Sequence, residues 1–280
     1  MTTRDRPAGA RPWRSVARLA ACCLCLLVAC AGPSRRVSIP DRPAPRSGLP
    51  LTRPTDAELL ALPDAIPTQE PRARLGNPPF YDVAGQRYNV LAQSQNYVER
   101  GVASWYGPDF HGERTSVGEP YNMYAMTGAH RTLPLPAYVR ITHLKNGRSV
   151  VVRLNDRGPF KANRIIDLSY AAALKLDMIR EGTAFVELQV LSADAHAPPP
   201  PPIAPLYAQV GAFTVEHNAH QLLDRLNAKG IPSAFIQHSH LEQQDLYRVR
   251  VGPIDSVARL DALTDQLHAM GLKTVTLAPH

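Results

Sequence analysis

The chain has 280 residues, enough for one or two domains, and a formal net charge of +7. Five arginines and one aspartate fall within residues 1–29, so more than half of that excess belongs to the first segment, and charge gives no reason to expect a nucleic-acid partner. The four cysteines, Cys22, Cys23, Cys25 and Cys30, all lie at or before residue 30, which excludes a disulfide framework or a thiolate metal site in the remainder.

Arg4, Arg6, Arg11, Arg14 and Arg18 form a basic n-region, followed by the apolar run "LAACCLCLLVA" from Leu19 to Ala29. That run is too short to cross a bilayer as a helix and reads as a signal segment spanning 1–29. Its end, "LVAC", resembles the lipobox of bacterial lipoproteins, in which the signal is cut and the cysteine, here Cys30, carries the lipid. A secretory signal with an incidental cysteine is the plainer alternative. Ala31 follows where sorted lipoproteins retained in the inner membrane carry aspartate, and that resemblance implies the outer membrane.

Residues 30–75 are rich in Pro, Arg and small residues without a sustained period. Such a stretch buries too little apolar surface to offset its ordering entropy and is expected to be a disordered tether. A second break, 193–203, takes in most of "HAPPPPPIAP" (196–205), which reads as a polyproline II spacer. Two folded blocks remain, 76–192 and 204–280.

The first block is β-rich. "VERGVASWYG" predicts a strand running into a turn, and "AYVRITHLKNGRSVVVRLND" predicts a hairpin turning at Asn146-Gly147. "RIIDLS" predicts a short strand, with Ser169 or Asp167 capping the helix "YAAALKL", and "TAFVELQVL" closes as a strand. Many short strands with one helix suggest a small barrel. Within it, "TSVGEPYNM" (115–123) sets one carboxylate, Glu119, between Gly118, which permits a tight loop, and Pro120, which biases Glu119 toward extended backbone. On its own, a glutamate in a Gly-Pro turn is most often merely solvated. By the same plain reading Asp156 is a turn carboxylate pairing with Arg157, and His130 a satisfied core histidine.

The second block repeats. "QVGAF" (209–213) recurs as "RVGPI" (250–254), and the offset of 41 carries on through Leu222 and Leu263, Leu226 and Leu267, and Gly230 and Gly271. Each copy is a strand, an amphipathic helix ended by glycine, and a strand. Two copies give a βαββαβ sandwich: a four-stranded antiparallel sheet with both helices on one face. Strand alternation then puts Tyr207, Gln209, Arg248 and Arg250 on the open face, a surface suited to a polar, partly anionic polymer.

"YAQVGAF" and "YRVRVGPI", heading the two halves, resemble the SPOR domain of bacterial division proteins, whose ferredoxin-like sheet binds peptidoglycan glycan strands stripped of stem peptides. "GVASWYGPDFHGERTSVGEPYNM", "AMTGAHRTLP", "VRITHLKNGRSVVVRLNDRGPF", "RIIDLSYAAALKL" and "GTAFVEL" together resemble the rare lipoprotein A (RlpA) family. These are septal lytic transglycosylases built on an all-β double-psi β-barrel. The resemblance implies that Glu119 is the catalytic acid and that His130 and Asp156 are the polar residues beside it. Read from the residues themselves, Trp105, Tyr106 and Tyr121 are expected to contact sugar rings, although one of Trp105 and Tyr106 faces the core if the strand alternates. Two departures stand out: Val117 where the family has a small polar residue, removing a hydrogen bond near Glu119, and Gly128 in "TGAH" where alanine is usual.

One carboxylate suffices for that chemistry. A lytic transglycosylase uses no water: the acid protonates the glycosidic oxygen after N-acetylmuramic acid, then takes the proton from that sugar's C6 hydroxyl, which closes a 1,6-anhydro ring. The role calls for an acid protonated at the start, by burial or a nearby carboxylate, with Asp156 as candidate neighbour and His130 orienting one of the two. The expected partners are glycan strands, a membrane reached through the lipid, and proteins of the division site; no nucleic acid, cofactor or metal is expected, since the ten histidines show no ligand spacing. Two alternatives stand: a non-catalytic septal peptidoglycan-binding lipoprotein, and a muramidase-type hydrolase pairing Glu119 with Asp156.

Overall fold

The computed structural model describes residues 53–193, 204–241, 244–272 and 275–279. The signal segment, Cys30 and most of the proline spacer lie outside the described residues.

In chain order the elements are α1 (Asp56–Leu60), β1 (Phe80–Val83), β2 (Gln86–Asn89), β3 (Val98–Trp105), β4 (Thr127–His130), β5 (Ala137–His143), β6 (Ser149–Asp156), β7 (Arg164–Leu168), α2 (Tyr170–Lys175) and β8 (Thr183–Leu191). They continue with β9 (Leu206–Phe213), α3 (Glu216–Ala228), β10 (Ala234–Leu241), β11 (Gln244–Val251), α4 (Val257–Ala269) and β12 (Thr276–Pro279). Strands β3 to β8 close into a six-stranded barrel in the order β3-β7-β4-β6-β5-β8. Closure leaves no sheet edge exposed. The pairs β3/β7 and β4/β6 are parallel and the others antiparallel, the crossed pattern of a double-psi β-barrel.

Alternation of apolar residues along the strands fills the interior: Val139 and Ile141 of β5, Val150, Val152 and Leu154 of β6, and Ile166 and Leu168 of β7 are all almost fully buried. Two strands approach closely at β3 and β7, where a Cβ on Gly101 would lie 2.4 Å from Ile165 Cγ2. The helix α2 presses Ala171, Ala172 and Ala173 onto this core. Its cap is Ser169, whose Oγ accepts from Ala172 N; Asp167, the other capping candidate, bonds elsewhere.

Part of the expected tether is ordered. Residues 53–77 form a strap laid on the barrel. Thr55 and Glu58 make a capping box on α1, Leu59 is 2% exposed in the barrel core, and Asp64 takes hydrogen bonds from Val151 N and Lys175 Nζ. Asn77 bonds across to Leu135 in both directions. Isolated anchors spaced along a proline-rich chain leave no period to read, which is why composition pointed to disorder. Residues 30–52 lie outside the described residues.

In the C-terminal block, β10-β11-β9-β12 form an antiparallel sheet. Leu222 and Leu226 of α3 and Leu260, Leu263 and Leu267 of α4 share one core with Ala208, Val249 and Val251, so the helical stripes and the inward strand residues fall where the repeat puts them. Gly230 and Gly271 take φ of +77° and +79° at the two helix ends, a conformation that favours glycine. Barrel residues Val102, Leu144 and Phe185 join this second core, and Arg164 pairs with Asp261 of α4 at 3.1 Å.

Candidate active site

Glu119 sits on a loop that folds back on itself over the barrel rim. Gly112 N donates to Tyr121 O and Tyr121 N to Glu113 O, while Thr115 N donates to Glu119 O. The tip, Thr115 to Gly118, is closed by Gly118 N donating to Thr115 O, with Gly118 at φ +92°. The glycine expected to free the loop therefore does so in a conformation other residues rarely adopt.

Asp156, at the end of β6, clamps that tip. Its Oδ1 accepts from Ser116 N at 2.8 Å, Ser116 Oγ at 2.6 Å and Arg157 N at 2.8 Å. The expected pairing of Asp156 with the Arg157 side chain does not occur; the partner is the Arg157 backbone, and the guanidinium goes to the carbonyls of Gly76, His130, Arg131 and Leu133. Val117 packs on the barrel core, and Ser116 next to it donates to Asp156.

The Glu119 carboxylate, 44% exposed, is gripped from β6. Arg153 Nη1 donates to its Oε2 at 2.9 Å and Asn155 Nδ2 donates to the same oxygen at 3.0 Å. Residues two apart on a strand share a face, which is why both reach one oxygen. Asn155 is 4% exposed and its Oδ1, like Thr115 Oγ1, is buried without a hydrogen-bond partner among the described residues. Arg153 in turn is held by a residue of the strap: Nε and Nη2 donate to the two oxygens of Glu70, both at 2.8 Å, and Tyr138 OH donates to Glu70 Oε1 at 2.5 Å. Arg153 and Asn155 were within quoted motifs and Glu70 within the supposed tether, yet none was singled out from sequence. Their distance along the chain from Glu119 hides the contact.

His130 is not an orienter of Glu119 or Asp156. Its ring is 1% exposed; Nδ1 accepts from Thr132 N and Leu133 N, and Nε2 lies 3.3 Å from Glu99 Oε2. Burial pushes its pKa down, so the ring is held neutral as a turn-former beneath the rim. Tyr121 also departs from its expected role. It is 2% exposed, stacked on Tyr106 at 3.9 Å between centroids, with its OH donating to Tyr106 O. Burial raises the pKa of both phenols. Trp105 packs edge-on against Tyr170 at 5.6 Å and Tyr106 against Phe110 at 6.1 Å, both only partly exposed. These aromatics floor the loop. Asp167, expected as a cap, is a buried carboxylate that accepts from Ser104 Oγ at 2.5 Å, and burial raises its pKa.

The second candidate surface is the open face of the C-terminal sheet. Tyr207, Gln209, Arg248 and Arg250 lie on it as alternation requires, opposite Ala208, Val249 and Val251. Phe235, not foreseen, stands edge-on to Tyr207 at 5.4 Å, and Arg248 donates to Ser239 Oγ. Arg250 is only 7% exposed, and burial lowers its pKa. It is set into the face, not spread over it.

Fold and site define a double-psi β-barrel presenting a loop-borne carboxylate, followed by a SPOR-type sheet. Residues 98–188 match the family model described as lytic transglycolase, and residues 204–276 match the SPOR domain model. The endolytic peptidoglycan transglycosylase RlpA of Pseudomonas aeruginosa (strain UCBPP-PA14) is 36% identical over 281 residues, covering 79% of this chain and 82% of its own length. Its namesake from Neisseria meningitidis serogroup A (strain DSM 15465 / Z2491) is 42% identical over 194 residues, covering 68% of this chain and 80% of its own length. Among solved structures, the RlpA SPOR domain from Pseudomonas aeruginosa is 35% identical, with a TM-score of 0.25, covering 27% of this chain and 99% of that one. The chain belongs to the RlpA family.

Because His130 is buried with a lowered pKa, the unfolded chain binds a proton that the folded one resists. Stability is then full above the ordinary histidine value of about 6.5 and declines as pH falls through it. Urea midpoints at pH 7.5 and 5.5 should differ less in His130→Gln than in the parent; an equal difference would show that His130 is not held neutral.

Proposed function

We propose that the protein is a peptidoglycan lytic transglycosylase, with Glu119 as its single acid and base. The observation that carries this reading is the grip on Glu119 Oε2 by Arg153 and Asn155 at a half-exposed position on the rim. Protonated Glu119 gives its proton to the glycosidic oxygen as the bond from C1 of N-acetylmuramic acid breaks, and N-acetylglucosamine leaves with a hydroxyl. The carboxylate so formed meets two N–H donors already in place, which stabilise its charge as it develops. It then takes the C6 hydroxyl proton as O6 bonds to C1, leaving a 1,6-anhydro end and a regenerated acid.

Asp156 supports this reading over the two-carboxylate hydrolase. With three donors on one oxygen it serves as the clamp of the acid's loop, a poor disposition for a general base. Asn155 Oδ1 and Thr115 Oγ1, buried and unpaired among the described residues beside the acid, suit a ligand rich in hydroxyls. Of the earlier site expectations, Glu119 keeps the chemistry, Asp156 becomes a positioning residue, and His130 supports the loop from Thr132 to Leu133.

The C-terminal sheet binds glycan strands through Tyr207, Phe235, Gln209 and Arg248, pairing aromatic faces with polar donors. In this reading residues 1–29 are a cleaved signal, Cys30 is acylated, and residues 30–52 lead to the strap. The protein is then an outer-membrane lipoprotein facing the periplasm, concentrated at the division septum by its SPOR domain, where it cuts strands as daughter cells separate.

Incubating the protein with sacculi, with and without removal of stem peptides, should release 1,6-anhydro ends by mass spectrometry. Glu119→Gln should lower that release by at least about 100-fold. Reducing ends would instead mean hydrolysis, and no product with intact sacculus binding would leave only a binding protein. Tyr207→Ala should weaken binding to stem-stripped sacculi by about tenfold, a loss of about 1.4 kcal/mol; unaltered binding would remove the sheet face from the reading. Metabolic labelling with palmitate should mark the parent and not Cys30→Ala, and a labelled variant would reject Cys30 as the anchor.

A further inference from the structure

The strap residue Glu70 has no part in the chemistry described above, yet it makes the strongest contact to the arginine that does. Arg153 offers its Nε–Nη2 edge to Glu70 as a fork of two 2.8 Å bonds and spares only Nη1, at 2.9 Å, for Glu119. Both carboxylates thus draw on one guanidinium, and Glu70 takes the bidentate share. Glu70 is itself fixed by Tyr138 OH, and Tyr138 OH also contacts Thr68 Oγ1 at 2.9 Å, so two strap residues meet β5 at this point. The strap from Leu62 to Ile66 also walls a cavity of about 490 Å³, whose other lining includes Tyr124, Met126, Tyr138 and Arg153.

We propose that Glu70 is a positioning residue for Glu119, acting through Arg153: by holding the forked edge of the guanidinium it leaves the acid a single bond from Nη1 and part of the positive charge. The inference rests on the assignment of Glu119 as the acid. A fork delivered wholly to Glu119 would pin both its oxygens and favour its ionised form, which suits a salt bridge and not a proton donor. Sharing Arg153 with Glu70 keeps the guanidinium in place to receive the charge once the proton has left, without its full weight before. In agreement, the Glu70 carboxyl is held below its ordinary value chiefly by its hydrogen bonds to Arg153, and the largest single effect raising the guanidinium is its hydrogen bonding to Glu70. The groups that face this pair are Tyr138 from β5, Asn155 from β6, Arg114 on the loop, which donates to Gly118 O, and Asp156, which is occupied by Ser116.

The test is Glu70→Gln in the full-length chain, read by a crystal structure and by a pH profile of anhydro-end release. The structure should show Arg153 turned to grip Glu119 through two N–H donors. Release at pH 7 should fall about tenfold, with recovery toward the parent rate at lower pH and sacculus binding within twofold of the parent. Glu70→Asp, which keeps the charge, should retain the parent pH profile, and it decides the matter if the glutamine variant does not fold. Arg153 and Glu119 in unchanged geometry in Glu70→Gln would overturn the inference, as would a uniform loss of rate at all pH values in either variant. If the parent itself releases no anhydro ends while Arg153 still turns in the variant, the coupling stands and it is the transglycosylase reading that fails.

Discussion

One half-buried guanidinium ties the strap to the barrel rim. Arg157 donates through Nε to Gly76 O, through Nη1 to the carbonyls of His130, Arg131 and Leu133, and through Nη2 to Asn77 Oδ1. It thereby joins the end of the strap, the turn after β4 and the end of β6, three stretches remote in sequence. Burial lowers its pKa to about 10, so it stays charged at neutral pH, with neutral carbonyls satisfying its donors. An arginine matched in this way is costly to remove, because the carbonyls it serves would lose their donors.

From that fixed point β6 and the residue after it supply the side chains that hold the acid's loop. Arg153 and Asn155 reach Glu119, Asp156 clamps the loop that carries it, and Arg157 locks the strand's end to its surroundings. A strand in a closed barrel is held on both sides, here by β4 and β5, so these side chains inherit the rigidity of the barrel. The loop borrows its order from them. Its own residues are short and turn-forming, and the Asp156–Ser116 contacts hold its tip while Arg153 and Asn155 hold the carboxylate.

Periodicity carried the fold. β5 and β6 pair as the hairpin that Asn146-Gly147 announces, and the 41-residue repeat with strand alternation announces the C-terminal sheet and even the face on which Tyr207 and Arg248 lie. Glu119 was legible because a carboxylate between Gly118 and Pro120 stands out within the quoted motifs. What surrounds it was not. Glu70 and Arg153 are 83 residues apart, and a contact of that range leaves no trace in local pattern. Tyr121 follows a proline in a loop with no alternation to say which way it points, and it turned inward onto Tyr106. Asp167 and Ser169 are both acceptable caps by type; backbone geometry gave the cap to Ser169 and left Asp167 to Ser104. The strap escaped notice for a related reason, since Leu59, Asp64, Glu70 and Asn77 act singly and never form a stripe.

A strap ordered by single anchors has a consequence for how membrane attachment and catalysis relate. If Cys30 is acylated, the chain between lipid and barrel does not end at the barrel's first strand, β3; it runs across the rim, with Glu70 on Arg153 and Asn77 under Arg157. The contact nearest the acid is then made by the same segment that leads from the barrel toward Cys30. Its geometry is fixed from the barrel side by Tyr138 and Arg153, both on strands, so the strap completes the site while the barrel dictates its shape. Among the described residues, preorganisation of this kind rests on a few side chains of the strap and of β5 and β6.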